Sequence, residues 1–205
     1  MIIMYLNILL FFCVITKLAG FLNIYLIKEK HPKFKLLKNK VLYLPLITYT
    51  NSSIYLLILW IFCKIYLKTV LSTFTCLVWC ILCNVTIGYW LLIKHSDNNM
   101  PKYNVIFYNI SNFMHHGGLL LLFSPSILYN PFSICSIYLS IIFSLGWLLF
   151  IILPWYYFTG DSVYTFLDKN IEIYIKMNCF LIMLFINIFT GILGSFISNR
   201  FKIIY

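Results

Sequence analysis

The chain has 205 residues, 62% of them hydrophobic and only 10% charged, with 15 Lys and Arg against 5 Asp and Glu. So little charge cannot cover the surface of a soluble domain, which leaves a membrane bundle as the fold class. The net charge of +10 does not call for nucleic acid: six lysines (Lys28, Lys30, Lys33, Lys35, Lys38 and Lys40) crowd one short loop between apolar segments, the pattern that anionic headgroups and the positive-inside rule produce.

A membrane-spanning helix needs about 20 mainly apolar residues. Six segments meet that need: 2–26, 41–63, 70–93, 104–128, 133–157 and 173–197. The expected fold is therefore an all-α integral membrane protein, a single bundle of about six transmembrane helices with no soluble domain. Segment 2–26 lacks a basic leader and Lys17 interrupts its apolar run, so it is expected to be a retained span rather than a signal peptide. Lys17 either snorkels to an interface or pairs with a partner at depth. The loops are short: 27–40 is the basic one, 94–102 is a polar turn, and 158–170 carries Gly160, Asp161 and Asp168. Positive-inside logic puts the basic loop in the cytosol and both termini across the membrane, with the two aspartates as solvated loop ends.

The second segment holds Thr48, Thr50, Asn51, Ser52 and Ser53 within an apolar run, and Thr48, Ser52 and Tyr55 share a helical face. Such hydroxyls commonly bond their own helix or glue neighbouring helices. The fourth segment is more unusual, because His115 and His116 sit in it, followed at once by Gly117 and Gly118. Ionisable residues at membrane depth are costly and tend to mark a site. Asn109, Asn112 and His116 form one stripe, while Tyr108, Asn112 and His115 form another. Spacing alone does not choose between the histidines. Together the two segments supply a hydroxyl nucleophile and an imidazole that an apolar medium keeps neutral and able to take its proton. At 1.5 Å per residue, Thr48 is expected about 10 Å into its span and His116 about 18 Å into its own. The pair meets only if the fourth span starts later or tilts.

Other chemistry is poorly supplied. Cys80 and Cys83 lack the second pair of a metal site, and the seven cysteines read as small hydrophobes in apolar runs. Adjacent histidines on a helix point about 100° apart, so His31, His95, His115 and His116 make a poor metal set, and no cofactor is implied. Gly160-Asp161-Ser162 looks like the nucleophile step of certain soluble lipases but lacks their strand context.

Three blocks of this sequence resemble the androgen-induced and androgen-dependent TFPI-regulating proteins, multi-pass membrane hydrolases of fatty acid esters of hydroxy fatty acids. The first is Leu46-Ile47-Thr48-Tyr49, the second Asn112-Phe113-Met114-His115-His116, and the third an aromatic cluster, then Thr159-Gly160, then Val163-Tyr164-x-Phe166-Leu167-Asp168. Tyr89-Trp90 ahead of Pro101 is a further similarity, and the likeness runs from about residue 35 to 195. It implies a threonine nucleophile at Thr48 and its histidine partner at His116; Asn112, one turn before His116, is separately expected to orient the imidazole or donate to the oxyanion. The likeness also implies a lipid-ester substrate drawn from the membrane, in the endoplasmic reticulum or plasma membrane. The chain departs from the family pattern at Phe113 (usually His), Asn51 (commonly acidic), Tyr156 and Tyr157 (often His) and Thr165 (Pro). The alternative expectation is a non-enzymatic membrane protein, whether transporter, lipid-binding protein or scaffold subunit. Asn187, Thr190, Gly191, Gly194 and Ser195 suit close helix packing as well as a cavity.

Overall fold

The computed structural model describes residues 2–68, 71–94, 102–164 and 167–201, and every regular element among them is a helix. Helix α1 covers Ile2–Ile27. The basic loop then folds into two short helices, α2 (Phe34–Leu37) and α3 (Leu44–Ile47), which bury Leu37, Val41 and Leu44. Helices α4 (Tyr49–Phe62) and α5 (Ser72–Gly88) each run on into a π-helical turn, Cys63–Leu67 and Tyr89–Ile93. Helix α6 (Val105–Phe113) passes through a third π turn, Met114–Gly118, into α7 (Leu119–Phe123), and α8 (Ser126–Tyr129) follows. Helix α9 (Tyr138–Trp147) continues through a π turn at Leu148–Ile152 into α10 (Leu153–Thr159), and α11 spans Ile173–Arg200.

Among the described residues, five helices are long and apolar enough to cross a membrane: Ile2–Lys30, Tyr49–Leu67, Ser72–Ile93, Ile134–Thr159 and Ile173–Arg200. Two differences from the sequence reading concern the site. The second span begins at Tyr49 rather than 41, because the chain leaves the helical region at Thr48 (φ −65°, ψ 149°). The fourth segment is helical from Val105 to Phe123 but is not among the five; Asn109, Asn112, His115 and His116 dilute its apolar run.

That segment nevertheless connects the two ends of the bundle. Near the start of α1, the Tyr5 hydroxyl donates to the Leu122 carbonyl (2.5 Å) and lies 2.9 Å from Ser126 Oγ. Near its end, Gly20 packs on His115, so α1 and α6–α7 run antiparallel. Lys33 Nζ lies 3.3 Å from an Asp161 carboxylate oxygen and 4.0 Å from one of Asp168, which joins the first and fifth loops at one end. Lys64 donates to Asn130 (2.5 Å) and Ser195 to the Phe132 carbonyl (2.9 Å) at the other. Asp161 and Asp168 are thus tied to Lys33 rather than simply solvated.

Helix α5 is the centre of the packing. Trp60 of α4 donates to Thr75 (3.0 Å), and Trp79 donates to the Thr190 carbonyl of α11 (2.8 Å). A Cβ at Gly194 would lie 2.3 Å from Trp79 Nε1, so glycine is what lets α11 approach α5 this closely. Thr190, Gly191 and Gly194 serve this contact, Ser195 bonds to Phe132, and none of the four lines either cavity described below. All seven cysteines are free; the Cys76 and Cys80 sulfurs lie 3.9 Å apart.

Candidate active site

Thr48 occupies the joint between α3 and α4. Its extended backbone makes it the N-cap of α4, and a hydroxyl at that position can accept from the first free backbone N–H groups. Here Oγ1 takes the Asn51 backbone N–H at 3.4 Å and, more closely, the Asn51 side-chain Nδ2–H at 2.5 Å. Asn51 in turn accepts, at Oδ1, a hydrogen bond from Lys17 of α1, and Lys17 also donates to the Pro45 carbonyl (2.8 Å). The lone pairs of Thr48 Oγ1 are therefore occupied by donors, and its own proton is left to point elsewhere.

The two histidines fall in the π turn Met114–Gly118, and single π turns inside α-helices recur at functional sites. His115 Nδ1 is held by the Ser111 carbonyl at 2.9 Å, with the Ser111 hydroxyl at 3.4 Å. A Cβ on Gly20 would come within 3.0 Å of the His115 ring, so α1 can cross here because residue 20 is glycine. His116 differs: its Nδ1 is buried with no hydrogen-bond partner. Its ring stacks on Tyr89 with centroids 3.6 Å apart and planes 9° apart. Asn112 does not bond to the imidazole; its Nδ2 donates to the Tyr89 hydroxyl at 2.5 Å. Asn112 thus reaches His116 only indirectly, by bonding to the ring on which the imidazole stacks.

Thr48, Asn51, Asn112, His115 and His116 all line one cavity of about 400 Å³, capped by the loop residues His31, Lys33 and Val163–Tyr164. No hydrogen bond joins Thr48 to His116. Lysine 33 contributes to the lining, which holds no Asp or Glu among the described residues. Tyr164 accepts at its phenol oxygen from the Tyr49 backbone N–H (3.0 Å), and burial pushes that phenol up to about 12, so it stays protonated. Burial also holds the His31 imidazole below its ordinary value, with Lys33 acting in the same direction.

A second cavity of about 420 Å³ lies beside the first, mostly apolar but with Asn84, Ser144 and Lys176 in its lining. Thr50, Tyr89, Ile93 and Tyr164 line both and form the wall between them. Both volumes are in the range of small-molecule sites. Thr50, the near competitor of Thr48, is in that wall. Ser162 is buried, with its hydroxyl bonded to the Asp168 carboxylate and in reach of the Tyr164 carbonyl, an arrangement that pins the loop and brings no imidazole to the serine. No group of three or more His, Cys, Asp or Glu gathers among the described residues; His95, Pro101, Thr165 and Phe166 lie outside them.

Sequence reasoning missed Tyr89 as a platform for His116 and Asn51 as a donor to Thr48. Helical spacing carries no sign of either contact, since both depend on which helices become neighbours. No protein-family model, curated protein or solved structure matches this chain.

Proposed function

We propose that the chain is an intramembrane hydrolase of lipid esters, with Thr48 as nucleophile and His116 as its base. One observation carries the reading: Thr48 and His116 come from different helices yet line one cavity, and the imidazole keeps a buried nitrogen with no partner. A buried unpaired nitrogen is uncommon in folded proteins, and a catalytic role is one of the few accounts of it. The missing Thr48–His116 hydrogen bond is compatible with this, since catalytic contacts are often loose until substrate binds.

In the reaction, His116 takes the Thr48 proton as Oγ1 attacks the ester carbonyl carbon. The tetrahedral adduct then breaks its bond to the alcohol oxygen, which receives the proton from His116. Water next gives a proton to His116 and attacks the acyl-threonine, and the proton returns to Oγ1 as the fatty acid leaves. The apolar second cavity suits an alkyl chain entering from the bilayer, and the basic loop suits the cytosolic face of an endomembrane or plasma membrane. The sequence resemblance to fatty acid ester of hydroxy fatty acid hydrolases agrees in residue types at Thr48 and His116.

The direct test is to quench the purified protein with acid during turnover of a long-chain ester and map acylated peptides by mass spectrometry. Acylation at Thr48 is expected; acylation elsewhere, with Thr48 unmodified, overturns the assignment. The second reading, a lipid-binding protein without catalysis, is favoured by the second cavity alone. It predicts saturable lipid binding with no ester cleavage.

A further inference from the structure

Lys17 is the one charged residue within the apolar run of α1, about 15 Å from the loop end of that helix at 1.5 Å per residue. An ammonium at that depth calls for partners and marks a functional site by default. A lysine placed only to anchor the helix would extend its head toward the headgroups. This one does not. It donates to the carbonyl of Pro45, three residues before Thr48, and to the side chain of Asn51, three residues after it. The rings of Tyr55 (4.2 Å) and Phe21 (5.3 Å) lie against the same ammonium, a favourable contact for a desolvated cation. Lys17 therefore grips both sides of the helix break that presents Thr48.

The link to chemistry runs through Asn51. Its amide accepts from Lys17 at Oδ1 and donates from Nδ2 to Thr48 Oγ1 at 2.5 Å. Drawing electron density toward Oδ1 makes the Nδ2–H groups better donors, because hydrogen bonds in a chain polarise one another. As Oγ1 loses its proton it gains negative charge, and a preorganised donor backed by a cation then counts for more than it did in the ground state. The same bond fixes the rotation of the Thr48 hydroxyl, which cannot direct its proton at the donating amide.

We infer that Lys17 is a positioning residue for the hydrolysis proposed above: acting through Asn51, it aims the Thr48 hydroxyl and stabilises the negative charge that builds on Oγ1 as His116 takes its proton. The inference rests on that reading of the cavity. It makes Lys17–Asn51 the supporting pair for the nucleophile. Lys17 touches neither substrate nor a reacting atom; Asn51 touches the reacting oxygen.

The test compares wild type, Lys17→Arg, Lys17→Met and Asn51→Leu, purified in detergent, on 4-methylumbelliferyl palmitate. Kinetic constants, melting temperature and the labelling rate by a fluorescent fluorophosphonate are recorded for each. Loss of transition-state support lowers kcat and leaves KM nearly unchanged. Asn51→Leu and Lys17→Met are expected to lose about 10²-fold in kcat and in labelling rate, while Lys17→Arg recovers much of both by supplying a cation on a similar stem. Should Lys17→Met fail to fold, Asn51→Leu and Lys17→Arg decide the matter. An active wild type matched by Asn51→Leu in kcat overturns the inference and leaves the hydrolase reading standing. So does a loss confined to KM and melting temperature, which is the mark of a merely structural clamp. A wild type that neither cleaves nor labels removes the hydrolase reading itself, and this inference with it.

Discussion

The His116 ring lies flat on the Tyr89 ring, 3.6 Å between centroids and 9° between planes, and Asn112 grips the Tyr89 hydroxyl from the preceding turn of the histidine's own helix. Both rings are on π turns, Tyr89–Ile93 and Met114–Gly118. Each turn adds a residue to its local helical ring, so the register of the side chains beyond it is displaced. The stack fixes the plane of the imidazole; the hydrogen bond fixes the plane beneath it.

Replacing Tyr89 separates these two effects. Tyr89→Phe keeps the stacked surface and loses the Asn112 bond, so turnover is expected to fall only several-fold. Tyr89→Leu removes the plane and is expected to cost about 10²-fold in kcat, the scale of a misaligned catalytic group. Steady-state hydrolysis by the two variants at matched protein levels checks the order; equal losses would contradict a role for stacking.

Gly194 gives a stability prediction with no catalytic component. A methyl there meets Trp79 Nε1 at 2.3 Å and Phe132 at 2.8 Å, so Gly194→Ala forces α11 away from α5 and is expected to cost about 1–3 kcal/mol, the range for overpacking. At Gly146 the nearest atom to the same methyl is 3.9 Å away, and Gly146→Ala is expected to be neutral or slightly stabilising. Thermal unfolding in detergent should lower the melting temperature of the first variant and not the second.

The loop end of the bundle should be pH-sensitive. Burial lowers the His31 proton affinity in the folded chain, so the unfolded chain takes up a proton first as pH falls through the ordinary histidine value near ~6.5. Stability from this group is present above that value and lost below it. Asp168 has the opposite sign: burial raises it despite the nearby Lys33, so it binds its proton more readily when folded, in a window just above the ordinary carboxylate range. As pH falls from 7 toward 5 the His31 loss comes first and dominates. A melting temperature that falls from pH 7 to pH 5, and falls less in His31→Gln, is the expected result.

The bundle was legible because five of its helices obey one rule, a long apolar run. The fourth segment was legible only in part, because its histidines and asparagines weaken that signal. Residue type marked the hydroxyl patch at 48–53 and the His115–His116 pair as candidates, and only the family resemblance singled out Thr48 and His116. The break at Thr48 was hidden, because Leu44–Thr50 contains no glycine and its proline sits at the start of a short helix, where proline is tolerated. Asn51 reads from the sequence as an absent carboxylate, yet in the fold it carries the link from Lys17 to Thr48. The Lys17–Asn51 and Tyr89–Asn112 contacts join helices 34 and 23 residues apart in the chain, and no local periodicity encodes such pairings.

The central claim is that Thr48 and His116 act together on a lipid ester. Membranes carrying wild type, Thr48→Ala, Thr48→Ser or His116→Ala, at matched protein levels, would be assayed for long-chain ester hydrolysis and fluorophosphonate labelling. Thr48→Ala also removes an N-cap worth about 1 kcal/mol, which Thr48→Ser preserves, so the serine variant separates chemistry from folding. The account predicts activity and labelling in wild type and Thr48→Ser, and loss of both in the two alanine variants. Full hydrolysis by well-folded Thr48→Ala, or a wild type inert on every lipid ester tried, would contradict it.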